Sequence, residues 1–387
     1  MNTELNLKLN GRLYFIDWLR VFAFGMLFIF HCLRFFDDFP WHIKNEEHSI
    51  FANLFIGFSH SWRMHLIFLV SGVGTYFALR SRKQKFLIDR VKRLIIPFLF
   101  GMIVLIIPQK FYEAIHNGWF QGSFVDFILN YHQWIQHNMP RFSMVWTGHI
   151  GLHLWYLPYL FIATLITFPL LRIIFNSKRE NHFLNILSTN RAGLLIILSL
   201  LIILVIVIKP QFPGFLDWGD FIKYLIFFLS GFIMAKYRMF MMQAYKYTYV
   251  FLILGLISFS CFLLVQIKFQ ELLTFYFNPQ YNLESFLLIT NDSIASFSWV
   301  MFFLGLSQRI ANFNHPILKA ANIGILPFYM LHQTVIVIIG FYIVQFDWSI
   351  TLKFLTILSS SLIITILLYQ LIKQIKLLRF LFGLKNK

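Results

Sequence analysis

Arg20 and His31 lie inside an apolar run from about Leu13 to Leu33. They are eleven residues apart. At 100° per residue that is three turns plus about 20°, so both side chains share a helix face about 16 Å apart along the axis. An arginine at the centre of a membrane span costs about 3 kcal/mol on insertion scales, so this face points to a polar path. Imidazole titrates near neutrality and suits proton abstraction from a hydroxyl. Asp17, at i, i+3 from Arg20, can pair with it, which leaves a structural ion pair as an alternative. A second set is His60, Arg63 and His65, followed by Ser71-Gly72-Val73-Gly74. His60 and Arg63 share a face, and Arg63 falls near mid-membrane. Two intramembrane arginines without enough carboxylates to match them suggest an anionic ligand; the alternative is that Arg63 pairs with backbone carbonyls or an unidentified acid. Ser71 is no nucleophile elbow, because Leu69 stands where glycine is needed. The glycines read as close-packing positions.

Seven Lys and Arg residues follow between positions 80 and 93, ending in DRVKRLIIP. Arg90 and Arg93, at i, i+3, present two guanidiniums on one side of an inner loop. Guanidiniums suit phosphate through bidentate, charge-assisted hydrogen bonds; membrane anchoring alone is the plainer reading. His153, in HLWYLPYL, and His332, in LPFYMLHQ, complete the candidates. His332 falls near the midplane, where a lone histidine is commonly a packing residue. His149 and His153 have the i, i+4 spacing of metal ligands, with His132 and His137 upstream, but no carboxylate or cysteine completes a set, and no metal is expected.

The elements that must position these residues are membrane helices. The chain has 387 residues, 58% hydrophobic and only 13% charged. Apolar stretches of about 20 residues recur, the signature of a polytopic helical membrane protein. The expected fold is all-α, one domain over 1–387, with ten spans at about 13–33, 51–79, 94–112, 150–171, 193–208, 221–235, 247–267, 285–308, 322–344 and 351–372. Pro158 and Pro169 interrupt the fourth. Asn291, Asp292 and several serines dilute the eighth. With both termini cytoplasmic, 23 of the 33 Lys and Arg residues fall in inner segments and 8 in outer ones. The basic excess therefore reads as a topology signal, and the net charge of +17 gives no case for nucleic acid as a partner. No small-residue cleavage site follows the first run, so a removed signal peptide is not expected. Cys32 and Cys261 suggest no disulfide framework. The longest connection, about 113–149, is outer and rich in Trp, Tyr and His, suiting a lid or an acceptor-binding rim.

These residues carry a resemblance. Arg, ten residues, then His, as in DWLRVFAFGMLFIFH, resembles the signature of the acyltransferase-3 family of integral membrane acyltransferases. SHSWRMHLIFLVSG resembles the second-helix motif of its glucan biosynthesis protein C subgroup, which modifies periplasmic glucans. DRVKRLIIP resembles the family's basic motif, HLWYLPYL a subgroup element and FYMLHQ the late-helix histidine motif. The matches run in order over about residues 12–333. His65 and Leu66 stand where relatives vary, so this motif does not fix the acyl group or acceptor.

The resemblance implies transfer of an acyl group, succinyl or acetyl, from cytoplasmic acyl-CoA to a hydroxyl of an extracytoplasmic glycan or glucan. His31 is then the general base, and Arg20 and Arg63 join it as catalytic residues lining a polar shaft. Arg90, Arg93, His60, His153, His332 and Asp17 bind substrate. No tightly bound cofactor is expected; acyl-CoA enters as donor. The setting is a lipid bilayer, through the family a bacterial inner membrane. With no activated Ser or Cys at a convincing spacing, direct transfer is preferred over an acyl-enzyme. The rival is a secondary transporter of an anionic or proton-coupled substrate, weakened by the lack of an inverted repeat of interrupted helices.

Overall fold

The computed structural model describes residues 12–81, 85–136, 144–177 and 182–384, with side chains omitted for 132–136. Every regular element among them is helical. Ten long helices are α1 (Tyr14–Leu33), α2 (Ile50–Ser81), α3 (Phe86–His116), α4 (Val145–Asn176), α5 (Arg191–Ile208), α6 (Trp218–Lys236), α7 (Thr248–Lys268), α8 (Leu283–Ile310), α9 (Pro316–Ile343) and α10 (Ile350–Gln374). They fall at the ten expected positions. By length and composition nine of these described helices can cross a membrane, all but α2. At 32 residues α2 is about 48 Å long, but His60, Arg63, His65 and its serines and glycines dilute its hydropathy.

Local chemistry sets several helix starts. Asn190, Asp217, Asn282 and Ser349 each accept a backbone N–H at the first turns of α5, α6, α8 and α10, satisfying donors that the helix itself leaves open. Proline shapes α3. Two π-turns, Val91–Ile95 and Met102–Ile106, precede segments with Pro97 and Pro108 in their first turns. Proline removes an N–H and crowds the preceding turn, and the wider π-turn absorbs that mismatch. The basic motif is therefore helical, where the sequence suggested a loop; Arg82 and Lys83 lie outside the described residues. In α4 the chain passes helically through Pro158 and Pro169, and the interruption is a 3₁₀ turn at Leu152–Trp155. The long connection between α3 and α4 contains a further helix, Phe124–Gln136, whose buried Phe127 packs on Phe111.

The chain forms two compact units. One gathers Met1–Ala23, His60–Phe86 and Ile162–Lys319; the other Phe24–Ser59, Leu87–Phe161 and Ala320–Lys387. Among lipid tails, helices associate through close packing more than through apolar burial. In the first unit that closeness rests on glycine: a Cβ on Gly72 would overlap the Phe228 carbonyl, and one on Gly231 the Leu69 carbonyl. In the second unit Phe28, Phe35, Phe36, Ile43, Ile336, Val337 and Ile357 form a buried core. A Cβ on Gly340 would enter the Phe35 ring.

Candidate active site

The second unit places three imidazoles side by side. His31 ends α1, His332 sits within α9, and His153 lies in the 3₁₀ turn of α4. The His31 and His332 ring centroids are 5.1 Å apart, and those of His332 and His153 are 5.5 Å apart. Trp41 lies nearly parallel to His31 at 6.0 Å. His332 and His153 are buried, whereas His31 is half-buried and so the most accessible of the three.

Hydrogen bonds fix the two buried rings. His332 Nδ1 donates to the Tyr329 carbonyl at 2.6 Å, so Nε2 is its acceptor face. His153 Nε2 donates to the Met330 carbonyl at 3.0 Å, and its own carbonyl accepts the Tyr329 hydroxyl. The backbone at His153 is strained: Leu152 holds φ 42°, a region that costs a residue with a Cβ about 1–3 kcal/mol and that clusters at functional sites.

A polar chain continues from His153. Gln109 Nε2 approaches His153 Nδ1 at 3.4 Å and donates to Thr334 Oγ1 at 2.8 Å. Gln333 Nε2 donates to Gln109 Oε1 and to His42 Nε2, each at 3.1 Å. His42 Nδ1 donates to Glu113 Oε2 at 2.6 Å, and Lys110 pairs with the same carboxylate at 2.9 Å. The second π-turn of α3 anchors this chain, since the Leu105 carbonyl within it accepts from both Gln109 and Thr334.

Trp41 and His42 reach this cluster on the segment after α1. Asp37, fully buried, pairs there with Arg34 and Lys44, and Arg34 also donates to the Pro40 carbonyl at 2.6 Å. Burial lowers Arg34 and Lys44 from their ordinary values, against the opposing pull of Asp37.

Arg90 and Arg93 belong to the same unit, toward the start of α3. Arg90 is half-buried and Arg93 exposed. A single helix thus carries the basic pair at one end and Gln109 and Glu113 toward the other, about 24 Å separating Arg93 from Gln109 at helical rise.

The first unit holds the other candidates. Asp17 pairs chiefly with Arg12, at 2.8 Å, and reaches Arg20 only at 4.0 Å. Arg20 lies against Gly74, 3.1 Å from where a Cβ would stand. Arg63 and His65 are buried, His65 between Tyr224 and Phe227 at 5.1 Å each, while His60 is exposed with its ring against Phe215. Lys223 and Asp292 form a part-buried ion pair close enough to interact electrostatically with His60. Their helices are apolar, so a matched lysine and aspartate was the sequence signal for that pair.

The structure thus gathers His31, His153 and His332. Within the first unit it sets His60, Arg63 and His65 among ion pairs. His42, Gln109, Glu113, Gln333 and Trp41 are additions that spacing did not reveal. The i, i+4 metal pattern does not converge: His149 is exposed, His153 is bound internally, and the helix breaks between them. Among the described residues no group of three or more His, Cys, Asp or Glu side chains is placed to hold a metal. The His132 side chain and His137 lie outside what is described.

Comparison with known proteins gives a family. The acyltransferase-3 model, described as an acyltransferase domain, matches residues 13–370. Glucans biosynthesis protein C from three Escherichia coli strains, SMS-3-5, O6:K15:H31 and K12, is in each case 24% identical over 395 residues. The alignment covers 96% of this chain and 94% of the relative. No solved structure matches the chain.

Proposed function

The chain belongs to the acyltransferase-3 family as an integral membrane acyltransferase, and from that premise we propose that it carries a succinyl or acetyl group from cytoplasmic acyl-CoA to a hydroxyl of an extracytoplasmic glucan. The observation that carries this reading is the imidazole cluster: an accessible His31 beside two buried, oriented histidines, in the same unit as a pair of arginines. The glucan acceptor is drawn from the names of the relatives, and the bacterial inner membrane from their source.

In the proposed step His31 takes the proton of the acceptor hydroxyl as that oxygen bonds to the thioester carbonyl carbon. Collapse of the tetrahedral adduct breaks the carbon–sulfur bond. The leaving thiolate recovers the proton from His31, giving the ester and free CoA. His332, fixed by Tyr329, stands next to the base and presents Nε2 as an acceptor. Arg90 and Arg93 hold the phosphates of CoA through charge-assisted hydrogen bonds. Arg20 and Arg63 supply positive charge for anionic parts of the substrate. At about 16 Å from His31 along α1, Arg20 suits anchoring better than contact with the reacting carbonyl. Asp17 and His60 stay with those arginines as binding residues. His153, whose ring nitrogens face groups of the protein itself, acts through His332.

The test uses the full chain in proteoliposomes, with glucan enclosed and acyl-labelled CoA added outside. Label on the enclosed glucan is the expected result. Label that stays on CoA, with protein inserted in that orientation, would overturn the reading. The proposed sidedness has its own check: a cysteine at Gln121 should react with an impermeant reagent from outside whole cells, and one at Ser81 only after permeabilisation.

A further inference from the structure

The hydrogen bonds between Glu113 and His153 run in one sense only. A carboxylate accepts, so His42 donates from Nδ1, and its Nε2, which faces the Gln333 amide nitrogen, is the acceptor. Gln333 thus turns its NH₂ to His42, and the same NH₂ donates to Gln109 Oε1. Gln109 in turn directs its NH₂, not its carbonyl, toward His153 Nδ1 at 3.4 Å, while its two hydrogens go to the Leu105 carbonyl and Thr334 Oγ1. His153 Nε2 is already the donor to Met330. A second proton on His153 would point at the N–H of Gln109.

This order has a cost. Gln333 Oε1 is buried with no hydrogen-bond partner among the described residues, which is worth about 1–3 kcal/mol. Turning the amide over would only exchange an unpaired oxygen for an unpaired NH₂ at that place. It would also set the carbonyl against two acceptors, His42 Nε2 and Gln109 Oε1. The Glu113 carboxylate at one end and the Leu105 carbonyl, which takes an N–H of Gln109, at the other thus hold the two amides in one sense.

We propose that Glu113, acting through His42, Gln333 and Gln109, is a positioning residue that keeps His153 as the Nε2–H tautomer with Nδ1 closed to protonation, so that the proton taken from the acceptor is confined to His31 and His332. This rests on the reading of His31 as the base. Three imidazoles in a row hold a single positive charge more easily than two, since like charges at such spacing repel. The neighbouring titratable groups are Tyr329, fixed to the His153 carbonyl, Tyr156 beside Tyr329, and Lys110, paired with Glu113.

The experiment is nitrogen-15 NMR of histidine-labelled full-length protein in nanodiscs, run beside turnover. His153 is assigned by loss of its signals in His153→Asn. In wild type it should show a bare Nδ1 and a protonated Nε2, unchanged from pH 8 to about pH 5.5, below the ordinary histidine value. Glu113→Ala should let His153 take a second proton in that range. Turnover should fall, by less than the loss of about 10²–10⁴-fold expected for removing the base itself, with KM for acyl-CoA unchanged. Glu113→Gln, which still offers His42 an acceptor oxygen, should restore both readouts. Gln333→Met breaks the chain while leaving Glu113 and His42 paired. It should reproduce the His153 change, and it stands as the test if Glu113→Ala does not fold. A His153 signal identical to wild type in every folded variant overturns the proposal. Absence of acyl transfer by wild type would instead overturn the acyl-transfer reading, and the nitrogen signals would still decide whether Glu113 orders His153.

Discussion

The two units hold polar groups differently around the candidate residues. In the first, charge meets charge, Lys223 with Asp292 and Lys209 with Asp220; the second has an ion cluster of its own, Asp37 with Arg34 and Lys44, on the segment after α1. In the second, around the imidazoles, neutral groups form a directed chain that ends on one carboxylate. An ion pair holds position but tolerates rotation; amide and imidazole donors hold direction, and proton transfer needs direction. The difference teaches where chemistry is expected and where anchoring is. The buried Arg63 of the first unit suits binding an anion, and the imidazole row of the second suits moving a proton.

The sharpest way to break this comparison is to remove a member of each set. His31→Ala should lower turnover by about 10²–10⁴-fold, the range for a positioned general base, while acyl-CoA affinity holds. Steady-state kinetics with a binding titration checks both. Lys223→Met should leave Asp292 uncompensated and destabilise the protein by about 3–5 kcal/mol. The double change Lys223→Met with Asp292→Leu should recover most of that, because a buried pair contributes little over apolar packing. Denaturation of both variants in detergent tells them apart, and a double variant as unstable as the single one would give the pair a role beyond mutual neutralisation. Arg90→Ala with Arg93→Ala removes charge-assisted hydrogen bonds of about 1.5–3 kcal/mol each. Acyl-CoA affinity should drop tenfold or more, and an unchanged affinity would reduce the pair to a membrane anchor. Smallest is Gly72→Ala, where the new methyl meets the Phe228 backbone carbonyl. A cost of about 1–3 kcal/mol is expected, with the histidine signals of the second unit unmoved.

Much of this architecture was legible in the chain because hydropathy and span length are local properties. All ten helices fall where apolar runs predicted them. Arg20, His31, Arg63, Arg90, Arg93, His153 and His332 stood out as polar residues in apolar or basic contexts. What spacing could not show was pairing at a distance. His42 and Glu113 are 71 positions apart, and His42 and Gln333 are 291 apart. Nothing in the local pattern around His42, in a polar connection, marks it as a partner of α3. The π-turns of α3 were also hidden, since only the prolines that follow them are visible in sequence. Basic residues counted as outer loop charges behave differently in the fold: Arg34 and Lys44 are bound by Asp37, Lys223 by Asp292, and Lys353 by Asn45.

The most direct test of the central claim compares envelope glycans, by mass spectrometry, from cells making wild-type protein and cells making His31→Ala at equal levels. Acyl-transfer chemistry at His31 predicts glucan carrying an acyl-sized mass increment only with wild type, and that increment names the group. The same increment at the same abundance with His31→Ala would contradict it and remove His31 as the base.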